Sequence, residues 1–271
     1  MSFIKVVDST WLQQHLDDHG LVVLDARSPA DYAREHIFHA RWIDVGQLAL
    51  ASTAADALEQ FSNKLAAVFS ASGIAPQNQV VVYSKGSDAA AARVAWALRY
   101  AGHPLVAILD GGLDQALDLP RTSQASVFTT TRFVVRPIAS LVTTASSILA
   151  DLAAPQRTLL DLRDAADYAG EQSGARRRGH IPGAIHWDVR HELDDAGRLA
   201  APAELAARLG AEGIRPEHEV VLYCGSGGRA SRSLVAFQHA GYRNVSVYPP
   251  SWSEWGNRDD LPIELAHGPA A

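Results

Sequence analysis

One cysteine occurs among 271 residues, Cys224, inside the stretch HEVVLYCGSGGRASRSLVAF at 218–237. Thiol chemistry runs through the thiolate, which is favoured beside backbone N–H groups and at the positive end of a helix. The stretch supplies both. An apolar run of strand type ends at Tyr223, and glycines 225, 227 and 228 let the backbone curl so that successive N–H groups face inward. A helical pattern then begins near Arg229 or Ala230. Ligands of open α/β sheets bind beyond the carboxyl ends of the strands, and Cys224 stands at such an end. The candidate nucleophile is therefore Cys224, with Gly225, Ser226, Gly227, Gly228 and Arg229 as its anion cradle. A lone cysteine is more often an inert core residue, but the strand end, the glycines and the following arginine outweigh that reading.

The elements that must position the loop occur twice. LVVLDARSPADYAREHIFHARWIDV (21–45) and TLLDLRDAADYAGEQSGARRRGHIPGAIHWDV (158–189) share Asp-x-Arg (Asp25/Arg27, Asp161/Arg163), Asp-Tyr-Ala, His-Ile and Asp-Val. QVVVYSKGSDAAAARVAWALRYAG (79–102) then parallels EVVLYCGSGGRASRSLVAFQHAG (219–241), with one residue more in its loop. Each reads as strand, tight loop and amphipathic helix closed by glycine. Strands alternating with helices imply parallel pairing, hence an α/β fold of two duplicated domains. The expected boundaries are residues 1–122, a linker at 123–143, and 144–271. Ser84 occupies the cysteine position of the first half. Without a neighbouring histidine or acid to activate it, it reads as a loop residue of a catalytically silent domain.

Bulk composition narrows the function classes. Hydrophobic residues make up 47% and charged residues 20%, a balance that supports packed cores. The net charge of -6 argues against nucleic acid as the main partner. A single cysteine excludes an intrachain disulfide. The N-terminus lacks the apolar stretch of a signal peptide, and no later window is long and apolar enough to span a bilayer. The expectation is a cytoplasmic monomer with small-molecule partners, no membrane association, no metal and no organic cofactor.

The whole chain resembles the two-domain rhodanese family of sulfurtransferases. The resemblance is carried by the duplicated halves, GHIPGA at 179–184, the CGSGGR loop, and SWSEWGNRDDLPIE at 251–264. It implies two rhodanese domains, each a central, mainly parallel sheet flanked by helices, with only the second catalytic. It also implies ping-pong transfer. A Cys224 persulfide forms from thiosulfate or 3-mercaptopyruvate and passes its sulfur to cyanide or a thiol. The four residues between Cys224 and Arg229 make a tighter cradle than the five of cysteine phosphatases. An arsenate reductase would call for a second cysteine. Gly-Ser-Gly resembles 3-mercaptopyruvate sulfurtransferases, whereas Gly228-Arg229 resembles thiosulfate-type loops, in which a guanidinium can grip sulfonate oxygens. Asp167 stands where the mercaptopyruvate pattern wants an arginine, so the balance tilts to thiosulfate. A non-enzymatic persulfide carrier is the third reading.

Other candidates are weighed by comparing the halves. Asp161/Arg163 and His180 have counterparts in the silent half, Asp25/Arg27 and His36, and all of these read as structural. Arg176, Arg177 and Arg178 do not, so Arg176 and Arg178 are taken as donor-binding candidates. Trp252 is a candidate pocket wall, as is Trp187; His191 and His218 read as surface. Pro249-Pro250 removes two backbone donors from the turn before Ser251.

Overall fold

Apolar runs of three to five residues become the central strands, and the amphipathic stretches between them become the covering helices. In the computed structural model, which describes residues 3–265, the first repeat contains β1 (Lys5–Val7), α1 (Ser9–His15), β2 (Leu21–Asp25), α2 (Pro29–Arg34), β3 (His36–Ile37) and β4 (Arg41–Trp42). It continues with α3 (Ala55–Ala71), β5 (Gln79–Tyr83), α4 (Ala89–Tyr100), β6 (Val106–Leu109) and β7 (Arg121–Thr122). The second contains α5 (Ala145–Asp151), β8 (Thr158–Asp161), α6 (Ala165–Ala169), β9 (Ile185–His186) and α7 (Pro202–Ala211). Its last elements are β10 (Val220–Tyr223), α8 (Gly228–His239), β11 (Val245–Val247) and α9 (Trp252–Trp255).

Both main sheets are parallel, as the alternation of strands and helices requires. The first has the order β1-β6-β5-β2-β4. The second is β11-β10-β8-β9. Beside β11, where the first sheet carries β1, a single parallel bridge joins Val142 to Val247. In each sheet the strand before the loop is central and buried: Val80–Tyr83 and Val220–Tyr223 are all at most 1% exposed. A loop leaving such a strand has a rigid base.

The duplicated motifs build the same polar network in each half. Tyr223 donates its hydroxyl to Asp161 Oδ2 at 2.7 Å and accepts the Ile181 N–H at 3.1 Å. Tyr83 does the same with Asp25 at 2.6 Å and Ile37 at 3.1 Å. Arg163 and Arg27 each grip the matching aspartate through Nε and Nη2. Burial, reinforced by the Asp161 charge, pushes the Tyr223 phenol well above its ordinary range, so it remains a hydrogen-bond donor. Tyr168 stacks on His180 at 3.9 Å and Tyr32 on His36 at 3.8 Å, each histidine bonded through Nδ1 to the tyrosine carbonyl. The duplicated Asp-x-Arg pairs and histidines are thus fold elements.

The compact units are not contiguous in sequence. One unit collects Met1–Leu48, Glu59–Ile138 and Leu193–Leu199; the other collects Ala49–Leu58, Ala139–Glu192 and Ala200–Ala271. Within the first, much of the expected linker is pinned as irregular chain. Thr131 N–H bonds Ser70 O, Phe133 N–H bonds Ser70 Oγ, and Arg136 N–H bonds Ala101 O. Gly73 and Gly102 permit this: a Cβ on either would lie 2.6 Å from a carbonyl oxygen of Thr129 or Arg136. Within the second unit, the buried Glu254 carboxylate binds Ser52 Oγ, the Thr53 backbone and hydroxyl, and the Tyr248 hydroxyl. Among the described residues, no helix is long and apolar enough to cross a membrane.

Candidate functional site

The Cys224 loop is set by contacts on both of its sides. Cys224, 2% exposed, follows β10 directly. Its backbone N–H donates to Ser251 Oγ at 3.0 Å, and its carbonyl accepts the Trp252 N–H at 3.0 Å. The next carbonyl, of Gly225, accepts the Ser253 N–H at 2.8 Å. Helix α9 therefore uses two of its first N–H groups to hold the loop open. Gly227 is the N-cap of α8 at φ +86°, where a Cβ would stand 2.2 Å from Pro249 O. Only glycine has both the left-handed freedom and the missing volume that this approach demands. The reward is the Gly227 N–H, which donates to Cys224 Sγ at 3.2 Å.

The first N–H groups of a helix lack intrahelical acceptors. The Gly227 N–H donates to the sulfur from the N-cap of α8, and Gly228 and Arg229 are the first two residues of that helix. Helix α8 is held in turn by Glu192, which binds Arg232, Ser233 Oγ and Trp187 Nε1. Full burial pushes the Glu192 carboxyl above its usual value, while Arg232 pulls against that.

The double proline proves compatible with this wall. Pro249 supplies the carbonyl against Gly227, and the Pro250 carbonyl accepts Ser253 Oγ. The strain falls on Ser251, at φ +57° and ψ -142° and fully buried. Its hydroxyl compensates by donating to Tyr248 O at 2.8 Å while accepting the Cys224 N–H. A buried non-glycine residue in that conformation costs about 1–3 kcal/mol and persists only where its surroundings over-determine it.

The remaining candidates divide. Arg229 lies in the first turn of α8, partly exposed, with Nη1 3.2 Å from Asp164 Oδ1. Arg176 is tied to Asp259 at 2.5 Å and to Asn257, and Arg178 to the Glu171 carbonyl; both are exposed. Arg177 donates to the carbonyls of Leu261, Trp255 and Arg258, a structural clasp. Trp252, expected as a pocket wall, is in the core. Its ring packs on the Arg163 guanidinium at 4.2 Å and its Nε1 donates to Ser173 Oγ. Only its backbone serves the loop. Trp187 is likewise buried on Glu192.

Sequence reasoning did not single out Ser251 or Asp164, and it overlooked the acid beside Ser84. Asp88, four residues beyond Ser84, accepts the Ser84 hydroxyl at 2.7 Å and the Ala90 N–H at 2.8 Å. A serine-to-acid contact does exist there, with the acid as the N-cap of α4, whereas the matching N-cap of α8 is Gly227, which has no side chain. The signal was legible in the contrast between Asp88 and Gly227 at the two N-caps.

The architecture is a parallel α/β sheet in which a central strand ends in a single cysteine beside the glycine-capped start of a helix. The chain belongs to the rhodanese family: the Rhodanese-like domain matches residues 8–118 and 144–258. It is 30% identical over 266 residues to a thiosulfate sulfurtransferase of Azotobacter vinelandii, covering 96% of this chain and 97% of that protein. It is 31% identical over 292 residues to a 3-mercaptopyruvate sulfurtransferase of Escherichia coli, covering 97% and 99% respectively. The crystal structure of SseA from Escherichia coli, described as a 3-mercaptopyruvate sulfotransferase, superposes with a TM-score of 0.77 at 26% identity. It covers 93% of this chain and 99% of its own.

Proposed function

We propose that the protein is a sulfurtransferase that moves the sulfane sulfur of thiosulfate to cyanide or a thiol through a Cys224 persulfide. The observation that carries this is the Gly227 N–H pointing at Cys224 Sγ from the start of α8. The thiolate attacks the outer sulfur of thiosulfate. The S–S bond of the donor breaks, its electron pair leaves with sulfite, and the new S–S bond makes Cys–S–S⁻. The N–H groups of Gly225 to Arg229 and the Ser226 hydroxyl are the proposed cradle of that outer sulfur. Cyanide then takes it as thiocyanate and the thiolate returns. Arg229 is the proposed contact for the sulfonate oxygens. Arg176 and Arg178, fixed elsewhere, are left to approaching donors at most.

A second reading keeps the chemistry and changes the donor to 3-mercaptopyruvate. It is favoured by the small Gly225-Ser226-Gly227 stretch, which leaves space for the donor, and by the engagement of Arg229 with Asp164. The proposed setting is a cytoplasmic monomer, where an unpaired thiol stays reduced.

Intact mass after incubation with thiosulfate or 3-mercaptopyruvate, then discharge by cyanide with thiocyanate detection, tests the proposal. One added sulfur on the wild type and none on Cys224→Ser is expected, with the faster donor marking the substrate. A persulfide that forms but fails to turn over would indicate a carrier; failure of both donors to load a folded protein would sink the reading.

A further inference from the structure

Asp164 occupies the N-cap position of α6 in the extended conformation that caps a helix (φ -66°, ψ 152°), yet its carboxylate makes no capping hydrogen bond. Aspartate is among the best capping residues, so the side chain has been drawn elsewhere. Its partner is Arg229, the residue that closes the cysteine loop. In the silent half the equivalent Ser28 caps its helix by accepting the Asp31 N–H at 3.1 Å, and the position matching Arg229 in α4 is an alanine, Ala90. The pair therefore exists only where the cysteine does.

The contact is monodentate, 3.2 Å, and partly wet, with Arg229 33% and Asp164 72% exposed. The Arg229 fork thus keeps donors for a ligand while its charge is offset. Arg190, within Coulomb reach of Asp164, is already gripped by Asp188 through Nε and Nη2. Arg229 and Arg190 thus each face a carboxylate. A doubly charged donor gains less from such a rim than from a bare arginine.

We infer that Asp164 is a specificity-determining residue: by offsetting Arg229 it restrains the preference of the site for dianionic over monoanionic sulfur donors. The inference rests on the sulfurtransferase reading and refines it. Across a wet rim, one unit charge changes binding by about three- to tenfold per unit of ligand charge. Removing the carboxylate charge should therefore raise the thiosulfate to methanethiosulfonate ratio of kcat/KM by about three- to tenfold.

The test compares wild type, Asp164→Asn, Arg229→Gln and the double variant with both donors at low and high salt. Asparagine retains N-capping ability, so α6 is kept, and far-UV circular dichroism and melting verify the fold. The expected result is a higher ratio in Asp164→Asn that shrinks with salt and disappears in the Arg229→Gln background. An unchanged ratio, a lower ratio, or a rise that persists without Arg229 overturns the inference. Absence of sulfur transfer in the wild type would instead overturn the sulfurtransferase reading itself.

Discussion

Restoring a cysteine to the first half should not restore chemistry there, because the cradle is already filled. Ser84 stands at the carboxyl end of β5 as Cys224 does at β10, but the Asp88 carboxylate is 2.7 Å from its hydroxyl. A thiolate or persulfide introduced by Ser84→Cys would meet that carboxylate about 3 Å away. At an effective dielectric of about 20–40, two like charges at that separation repel by about 3–6 kcal/mol. That corresponds to a factor of about one hundred to ten thousand against the anion. The assay uses a Cys224→Ser background to silence the second half. Ser84→Cys alone should gain no sulfur from thiosulfate by intact mass, whereas Ser84→Cys with Asp88→Gly should gain detectable persulfide. Glycine costs an N-cap only a few tenths of a kcal/mol relative to aspartate, so folding is not the confounding variable. Efficient loading of the introduced thiol with Asp88 intact would refute the argument that an internal carboxylate blocks the site.

Three further outcomes follow from the geometry. Gly227→Ala should lose at least about 1–2 kcal/mol from its left-handed φ alone, and more from its 2.2 Å approach to Pro249 O; it should also slow persulfide loading, measured by melting and by mass. Ser251→Ala leaves the Cys224 N–H without its acceptor at a cost of about 1–3 kcal/mol, whereas Ser251→Gly loses the same bond but relieves φ +57°. Glycine should be the more stable variant, and denaturant titration giving the reverse order would contradict the strain argument. Asp188 is held at about 2, below its ordinary 3.8, chiefly by hydrogen bonds from Arg190. Its folded-state value is depressed, so its contribution is present above pH 4 and is lost as pH falls from about 4 towards 2. Asp188→Asn should flatten that part of a stability–pH curve.

Much of the fold was legible because its signals are local and doubled. Apolar runs alternating with amphipathic stretches require parallel strands and covering helices, and the repeated Asp-x-Arg and His-Ile motifs mark two copies of one domain. The loop was legible for the same reason: Cys224, three glycines and an arginine are contiguous, and their chemistry depends on backbone N–H direction more than on distant partners. Comparing the copies also set Ser84 apart from Cys224 by residue type, although the acid beside it was overlooked.

Contacts between residues far apart in sequence were decided only by tertiary structure. Ser251 reaches the Cys224 N–H across 27 positions, and Asp164 reaches Arg229 across 65. Nothing in either local pattern distinguishes those roles from a turn serine or a capping aspartate. Trp252, Arg176 and Arg178 read as candidates for a pocket because aromatic and cationic residues suit one, but burial committed the indole to the core, and Asp259 and the Glu171 carbonyl engage the two guanidinium groups. The discontinuous make-up of the compact units depends on the same kind of contact. Segments 49–58 and 193–199 carry no compositional break, and where they pack is fixed by hydrogen bonds such as those of Glu254 to Ser52 and Thr53. Sequence determines which residues can do chemistry and which local shape presents them; the packed structure decides which polar atoms are already taken.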